Sequence, residues 1–208
     1  MLDIVVTVIF MVIGYLIGTI PTGYLVAKAR GVDIQTSGSG NIGATNVMRT
    51  LGVLPALIVV VVDPLKAAAA VLLPTLLGVG AWTVSLTGLA TVLGNNFNIM
   101  LRLRGGKGIA TTLGVFLVIN PLVTGLCVVI GVFTILLSRY VSLGSMVGLF
   151  AAPLFLIAGL SYPMPHLYLA VVLAALAILR HRDNIRRLIG GTERRLGERA
   201  HVRPKDPR

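Results

Sequence analysis

Carboxylates are scarce in this chain. Seven Asp and Glu stand against eighteen Lys and Arg, and only Asp3, Asp33 and Asp63 precede position 180. Chemistry that needs clustered carboxylates to hold metal ions, as in metal-dependent phospho-alcohol transfer, is therefore excluded. The single cysteine, Cys127, lies inside an apolar run, which rules out an internal disulfide and a thiolate metal cluster. Aromatic residues make up 6% of the chain and do not interleave with the basic ones. The stacking platform of a nucleic-acid binder is thus missing, despite a formal charge of +11. Charged residues amount to only 12%, too few to coat a soluble domain. Neither a fixed-period repeat nor a low-complexity linker divides the sequence.

What fills the chain is apolar: 56% hydrophobic residues and a mean hydropathy of +0.93. Apolar runs fall at about 4–27, 53–77, 82–101, 108–119, 121–138, 142–160 and 164–180. A helix of about 20 residues spans a bilayer, so most qualify, while 108–119 is short and needs support from its neighbours. Pro121 after Asn120 separates the fourth run from the fifth. The expected fold is all-α, a polytopic membrane bundle of seven transmembrane helices. Fusing 108–138 and 142–180 into longer units gives a five-segment alternative with the same sidedness. Lys28, Arg30 and Arg49 fall in the first connection, Arg102, Arg104 and Lys107 in the third, Arg139 in the fifth, and ten more from Arg180 onward. The other side receives Asp3, Gly78–Ala81, Asn120 and 161–163. Seventeen of eighteen positive charges on one face predict an outside N-terminus and a cytoplasmic C-terminus, with attraction to anionic headgroups as a by-product. Residues 1–198 are expected to form one transmembrane domain and 199–208 a basic tail. The first run lacks a positive leader and passes into Ile20-Pro21-Thr22-Gly23-Tyr24 without a small-residue cleavage site, so it reads as a retained helix.

Three polar clusters map to the basic face. The first, Ser37–Arg49, is rich in Gly, Asn, Ser and Thr. Gly38, Gly40 and Gly43 match a GxGxxG string, yet no strand precedes it, so the dinucleotide reading fails. As an anion cradle it remains good: the glycines leave N–H groups approachable, while Ser39, Asn41, Thr45 and Asn46 supply short polar arms. Thr45 and Arg49, four apart, would share one helical face. The second cluster surrounds Lys107 with Gly105, Gly106 and Gly108 where a helix begins, an arrangement suited to phosphate. It is not a Walker A loop, because Leu101 and Gly108 stand where Gly and Ser or Thr are needed. The third runs from Arg180 to Glu193, with His181 and Asn184 three apart on one face at the membrane boundary. Within the second run, Asp63 and Lys66 form an expected intramembrane ion pair. The HxxxxD spacing of His201 and Asp206 lies in a Pro-dotted tail and reads as chance.

The Gly-Ser-Gly-Asn-Ile-Gly-Ala-Thr-Asn stretch of 38–46, the Gly-Gly-Lys-Gly loop of 105–108, and His181…Asn184…Gly191-Thr192-Glu193 occur here in one order. Together they resemble the bacterial acyl-phosphate:glycerol-3-phosphate acyltransferases. Gly18–Tyr24, Asp63-Pro-Leu-Lys66 and Ser142-Leu-Gly-Ser145 add to a likeness that reaches about Glu198. The resemblance implies a cytoplasmic-membrane enzyme that moves a fatty acyl group from acyl phosphate to the 1-hydroxyl of glycerol 3-phosphate. Its products would be lysophosphatidic acid and phosphate, its surroundings membrane lipid, and a further partner the enzyme that supplies acyl phosphate. No cofactor and no metal is implied. Phosphate is already a good leaving group, which suits a chain without a Ser-His-Asp or Cys-His arrangement. Carried over residue by residue, Ser39, Arg49, His181 and Asn184 are the expected catalytic positions. Gly38, Gly40, Asn41, Thr45, Asn46, Gly105, Gly106, Lys107 and Gly108 are the expected phosphate-binding ones, and Glu193, Asp63 and Lys66 are structural. The proton acceptor is either His181 or an oxygen of the donor's own phosphate. One departure stands out: Asn95 occupies the place where the family usually has histidine, and asparagine is no general base. Arg104 for the usual lysine preserves charge. A transporter or receptor for a small phosphorylated solute is the rival reading, and the absence of paired inverted repeats counts against it.

Overall fold

The structure, a computed structural model, describes residues 2–158 and 163–199; the His201–Asp206 spacing lies outside them. Among the described residues there are helices and no strand: α1 (Leu2–Gly18), α2 (Thr22–Lys28), α3 (Ala44–Leu51), α4 (Val53–Leu76), α5 (Ala81–Asn96), α6 (Ile109–Ile119), α7 (Pro121–Ser138), α8 (Val141–Ile157), α9 (Met164–Arg180) and α10 (Arg182–Ile189). Each apolar run contains a helix, with two differences. The first run is broken after Gly18, because Pro21 has no N–H to give and disfavours helical backbone at Ile20. The third stops at Asn96 and ends in a 3-10 turn over Ile99–Leu101, whose Met100 N–H is capped by the Asn98 side chain at 3.0 Å. Leu2–Lys28, Val53–Leu76 and Pro121–Ser138 are long and apolar enough to cross a membrane, and α9 and α10, bent by 59°, pass the same test only when taken together. The remaining α5, α6 and α8 have 16, 11 and 17 residues.

Large apolar side chains such as Leu54, Leu65, Phe133, Leu137 and Val171 point outward, while the interior combines small and polar residues with a limited set of larger apolar ones. That is the pattern of a protein solvated by lipid, where helices gain little by hiding leucine and associate through close backbone approach. A Cβ at Gly18 would run into the Thr91 carbonyl, one at Gly94 into Tyr15, and one at Gly114 into Pro64. These contacts clamp α1 on α5 and α6 on α4. Interior threonines on α5 close their hydroxyls on the carbonyl four residues back, at 2.7 Å for Thr87 and 2.8 Å for Thr91. Ala67, Val71, Val115, Phe116, Leu169 and Leu173 fill the apolar centre.

The basic connections meet at one end. A second apolar cluster of Ala27, Ile34, Ile42, Val47, Ala56, Val59 and Leu101 seats the 29–43 loop and α3 against the start of α4. Gln35 Nε2 donates to the Arg104 carbonyl (3.3 Å), Arg49 Nη2 to that of Arg194 (3.1 Å), and the Leu196 N–H to that of Arg139 (2.7 Å). Loops distant in sequence thereby close into one polar floor.

Candidate active site

The 37–43 loop is shaped by Asn46. Its Oδ1 accepts from the Ser39 N–H at 2.9 Å, and its Nδ2 donates to the carbonyls of Ser37 at 3.0 Å and Asn41 at 2.8 Å. The Gly40 N–H goes to Ser37 O and the Gly43 N–H to Asn41 Oδ1. Asn46 and much of the loop backbone, expected to grip an anion, are thus committed to holding the loop's form. Gly38 and Gly40 both have positive φ, 62° and 70°, which the tight turn needs. The groups left for a ligand are side chains: among the described residues the Ser39 and Thr45 hydroxyls and Arg49 Nε have no hydrogen-bond partner. Thr45 and Arg49 share α3, as their spacing requires.

The 105–108 loop departs from expectation in the same way. Gly105 and Gly106 were expected to offer N–H groups to phosphate, but they donate them to Asn96 O (3.3 Å) and Asn95 O (2.9 Å). Their carbonyls face Arg180, whose Nη2 reaches Gly106 O at 2.9 Å while its guanidinium lies 5.3 Å from the centroid of the Phe97 ring. These glycines exist for close approach, since a Cβ at Gly105 would collide with the Asn95 carbonyl. Gly108, in the left-handed conformation at φ 82°, turns the chain into α6, whose first bond is Thr112 N to Gly108 O. The N–H groups of Ile109, Ala110 and Thr111 precede that bond and are left over at the helix start. Asn95 lies beneath this loop, and its Oδ1 accepts from Lys66 Nζ at 3.3 Å. Lys66 also pairs with Asp63 (2.8 Å) and donates to Ile20 O (2.7 Å), while Thr22 donates to Asp63. The pair therefore braces the α1–α2 break against α4 and α5.

The third cluster is a chain of bonds. Lys107 Nζ donates to Asn184 Oδ1, and Asn184 Nδ2 donates to Glu193 Oε1 at 2.6 Å. The same oxygen accepts from Ser142 at 2.9 Å, and Oε2 accepts from Arg187 Nε at 2.7 Å. Glu193 thus fastens the segment after α10 to α8 and orients the amide that holds Lys107. Burial alone would raise its carboxyl, but the hydrogen bonds from Arg187, Asn184 and Ser142 outweigh that and hold it below the usual range. Burial brings the Lys107 ammonium down to about 8. His181 is buried where α9 passes into α10. His181 Nδ1 lies 2.8 Å from the Ala177 carbonyl, which can only accept. Nδ1 therefore donates to it, and Nε2 is the ring nitrogen left for another partner.

Two cavities share a wall made of Ser39, Asn41, Arg49, Lys107, Asn184 and Glu193. One, about 870 Å³, is basic: Arg180, Arg182, Arg187 and Arg194 line it. The other, about 510 Å³, takes in His181 and the start of α6, then runs past Val60, Leu113, Leu117 and Val128 between the helices. Sequence reading missed Arg180, Ser142 and Thr111 as parts of this site. Arg180 and Ser142 carried a signal, a charge and a Ser-Leu-Gly-Ser stretch, whereas Thr111 becomes visible only in three dimensions.

Fold and site together define an integral membrane protein in which a basic cavity and a largely apolar one lie side by side. The sequence profile of the family described as glycerol-3-phosphate acyltransferase matches residues 8–191. A glycerol-3-phosphate acyltransferase of Thermus thermophilus is 47% identical over 93% of this chain and 96% of its own length. That of Geotalea daltonii is 48% identical over 89% and 95%. The crystal structure of PlsY, an integral membrane glycerol 3-phosphate acyltransferase, in its glycerol 3-phosphate form superposes with a TM-score of 0.87 at 41% identity, covering 92% of this chain and 96% of that one. This chain belongs to the glycerol-3-phosphate acyltransferase family.

Proposed function

We propose that the protein transfers a fatty acyl group from acyl phosphate to the 1-hydroxyl of glycerol 3-phosphate, giving lysophosphatidic acid and inorganic phosphate. One observation supports this: a basic cavity and a largely apolar one abut at a wall that carries Ser39, Arg49, Lys107 and Asn184. Glycerol 3-phosphate occupies the basic side with its phosphate on Arg49 and neighbouring guanidinium groups. The donor lays its acyl chain along Leu113, Leu117 and Val128, with its phosphate on Lys107 and Ser39. Thr45, Asn41 and Gly108 complete the cradle, while Gly38, Gly40, Gly105, Gly106 and Asn46 give it shape. The hydroxyl oxygen attacks the acyl carbon, the bond to phosphate breaks, and the proton passes to the departing phosphate. With Nδ1 committed to the Ala177 carbonyl, His181 serves by accepting the hydroxyl's hydrogen bond through Nε2 rather than by keeping its proton. Asn184 positions Lys107, and Asn95 supports the loop from behind, so a histidine there is dispensable.

The same reading places residues 1–198 as one seven-crossing domain in the bacterial inner membrane, 199–208 as a basic tail, and the site at the cytoplasmic face beside an acyl-phosphate-forming enzyme. The decisive experiment is phosphate release from palmitoyl phosphate by detergent-purified protein, with and without glycerol 3-phosphate, in EDTA. Release that depends on the acceptor and yields lysophosphatidic acid is expected, and Arg49→Ala should abolish it. Saturable glycerol 3-phosphate binding without turnover would favour a transporter instead.

A further inference from the structure

Seven helical threonines in this protein satisfy their hydroxyls in one way. Thr7, Thr50, Thr75, Thr87, Thr91, Thr124 and Thr134 each donate to the carbonyl four residues back, at 2.7–3.1 Å. Thr111 does not. It is 1% exposed, and its Oγ1 is buried without a hydrogen-bond partner among the described residues. The reason is local: four residues back lies Lys107, outside α6, beyond the left-handed turn at Gly108. A buried hydroxyl left unpaired is costly and rare, and where it persists it commonly waits for a group that arrives from elsewhere.

The place where it waits is informative. Thr111 lines the wall of the mixed cavity next to Lys107, Gly108, Ile109 and Ala110. The unbonded N–H groups of Ile109, Ala110 and Thr111 lie in the same first turn. The helix start and the hydroxyl are separate observations made in one turn of the cavity wall, and both are donors. Oxygen that gains negative charge is what such a pair of donors stabilises. In acyl transfer from an acyl phosphate, that oxygen is the acyl carbonyl oxygen, which becomes an oxyanion while the acyl carbon is tetrahedral.

We propose that Thr111 is a catalytic residue whose hydroxyl, with the leading N–H groups of α6, donates hydrogen bonds to the carbonyl oxygen of the acyl donor as it becomes an oxyanion. This rests on the reading of the donor given above. The bond bookkeeping is simple: the acceptor hydroxyl oxygen bonds the acyl carbon, the carbonyl oxygen takes up the electron pair and returns it as the bond to phosphate breaks, and the hydroxyl proton leaves on phosphate. Thr111 keeps its own proton throughout. Thr111 lines the mixed cavity and not the basic one proposed for glycerol 3-phosphate, so the hydroxyl acts on the rate of transfer and not on acceptor binding.

The test compares Thr111→Val, which removes the hydroxyl at nearly constant volume, with Thr111→Ser, which keeps it. Palmitoyl phosphate and glycerol 3-phosphate are the substrates, and thermal unfolding in detergent runs alongside. Thr111→Val should lower kcat by about 10²-fold with both KM values within about 2-fold of wild type, as loss of an oxyanion donor does. Thr111→Ser should restore most of kcat. Because serine differs by one methyl group, it keeps the question answerable even where valine disturbs the helix start. A wild-type kcat in Thr111→Val, an equal loss in Thr111→Ser, or a loss confined to the KM for palmitoyl phosphate would overturn the assignment. Failure of the wild-type protein to turn over palmitoyl phosphate at all would instead bring down the donor reading beneath it.

Discussion

Lys107 and Glu193 show how a single residue's surroundings set its chemistry. The ammonium of Lys107 is the form that draws in phosphate, and burial brings its loss down to about 8. The value of kcat/KM for palmitoyl phosphate, whose phosphate Lys107 is proposed to hold, should therefore fall as pH rises through about 8, since that parameter reports the free enzyme. In Lys107→Arg the alkaline limb should vanish, because guanidinium stays charged, although the absolute rate drops with the altered geometry. A limb that persists unchanged in that variant would assign it to another group. Glu193 supports the same site from below. Glu193→Ala leaves Ser142, Asn184 and Arg187 without their acceptor. The expected cost is about 2–3 kcal/mol, moderated because Arg187 is 39% exposed and solvent can take it back. Thermal unfolding in detergent measures this, and the assay should show activity falling with it as Asn184 loses its hold on Lys107. Since the Glu193 carboxyl is held low in the folded protein, its contribution is complete above the ordinary carboxylate pKa and disappears as pH falls through the lower folded value. Gln at this position should lose less than Ala, because an acceptor remains for Asn184 or Ser142.

Helices in this protein are held to each other mainly by what they omit. At Gly18 and Gly94 an added methyl group would meet backbone carbonyls, which cannot rotate away, whereas Gly125 on α7 has nothing within 4 Å of where a Cβ would stand. Gly18→Ala and Gly94→Ala should each cost about 1–3 kcal/mol by forcing α1 and α5 apart. Gly125→Ala should be neutral or stabilise by up to about 1 kcal/mol through helix propensity. Unfolding midpoints in one detergent compare all three, and equal effects at all three positions would remove close backbone approach as the cause. The helices themselves were largely legible beforehand, because lipid demands long apolar runs and each run became a helix. Pro121 also announced a break, whereas the break before Pro21 was read through as part of one run over 4–27. The early stop of α5 at Asn96 was not legible, since Phe97, Ile99, Met100 and Leu101 continue the apolar pattern while Asn98 turns the backbone into a 3-10 cap. The site was legible in its residue types and less so in their duties. A glycine-rich loop advertises N–H groups, but whether they face a ligand or their own loop depends on partners such as Asn46, Asn95 and Asn96 that spacing does not reveal. Thr111 was hidden for the converse reason: only the observed lack of a partner marks it out.

At the scale of the whole molecule, the basic connections form one structural unit. Arg49 reaches the segment after α10, Leu196 reaches Arg139, and Arg180 holds the 105–108 loop, so the cationic end is closed by contacts as well as by charge. An arrangement that assembled this floor from connections on different sides of the bilayer is impossible, which makes the orientation of one helix decisive for all. The helix to test is α4, a 24-residue span with Asp63 and Lys66 neutralising each other inside it. Ala29 and Leu77, one before and one after this span, are both exposed, and Cys127 is buried, so the wild-type protein is a blank for a thiol reagent that does not cross membranes. In intact spheroplasts such a maleimide should label Leu77→Cys and leave Ala29→Cys unlabelled until the cells are opened. Inside-out vesicles should reverse the pattern. Labelling of both from the same side would break the alternation on which seven crossings depend. Reversed labelling in spheroplasts would instead place Arg49, Lys107 and His181 on the outer face, away from a cytoplasmic supply of acyl phosphate, and the proposed location of the reaction would fall with it.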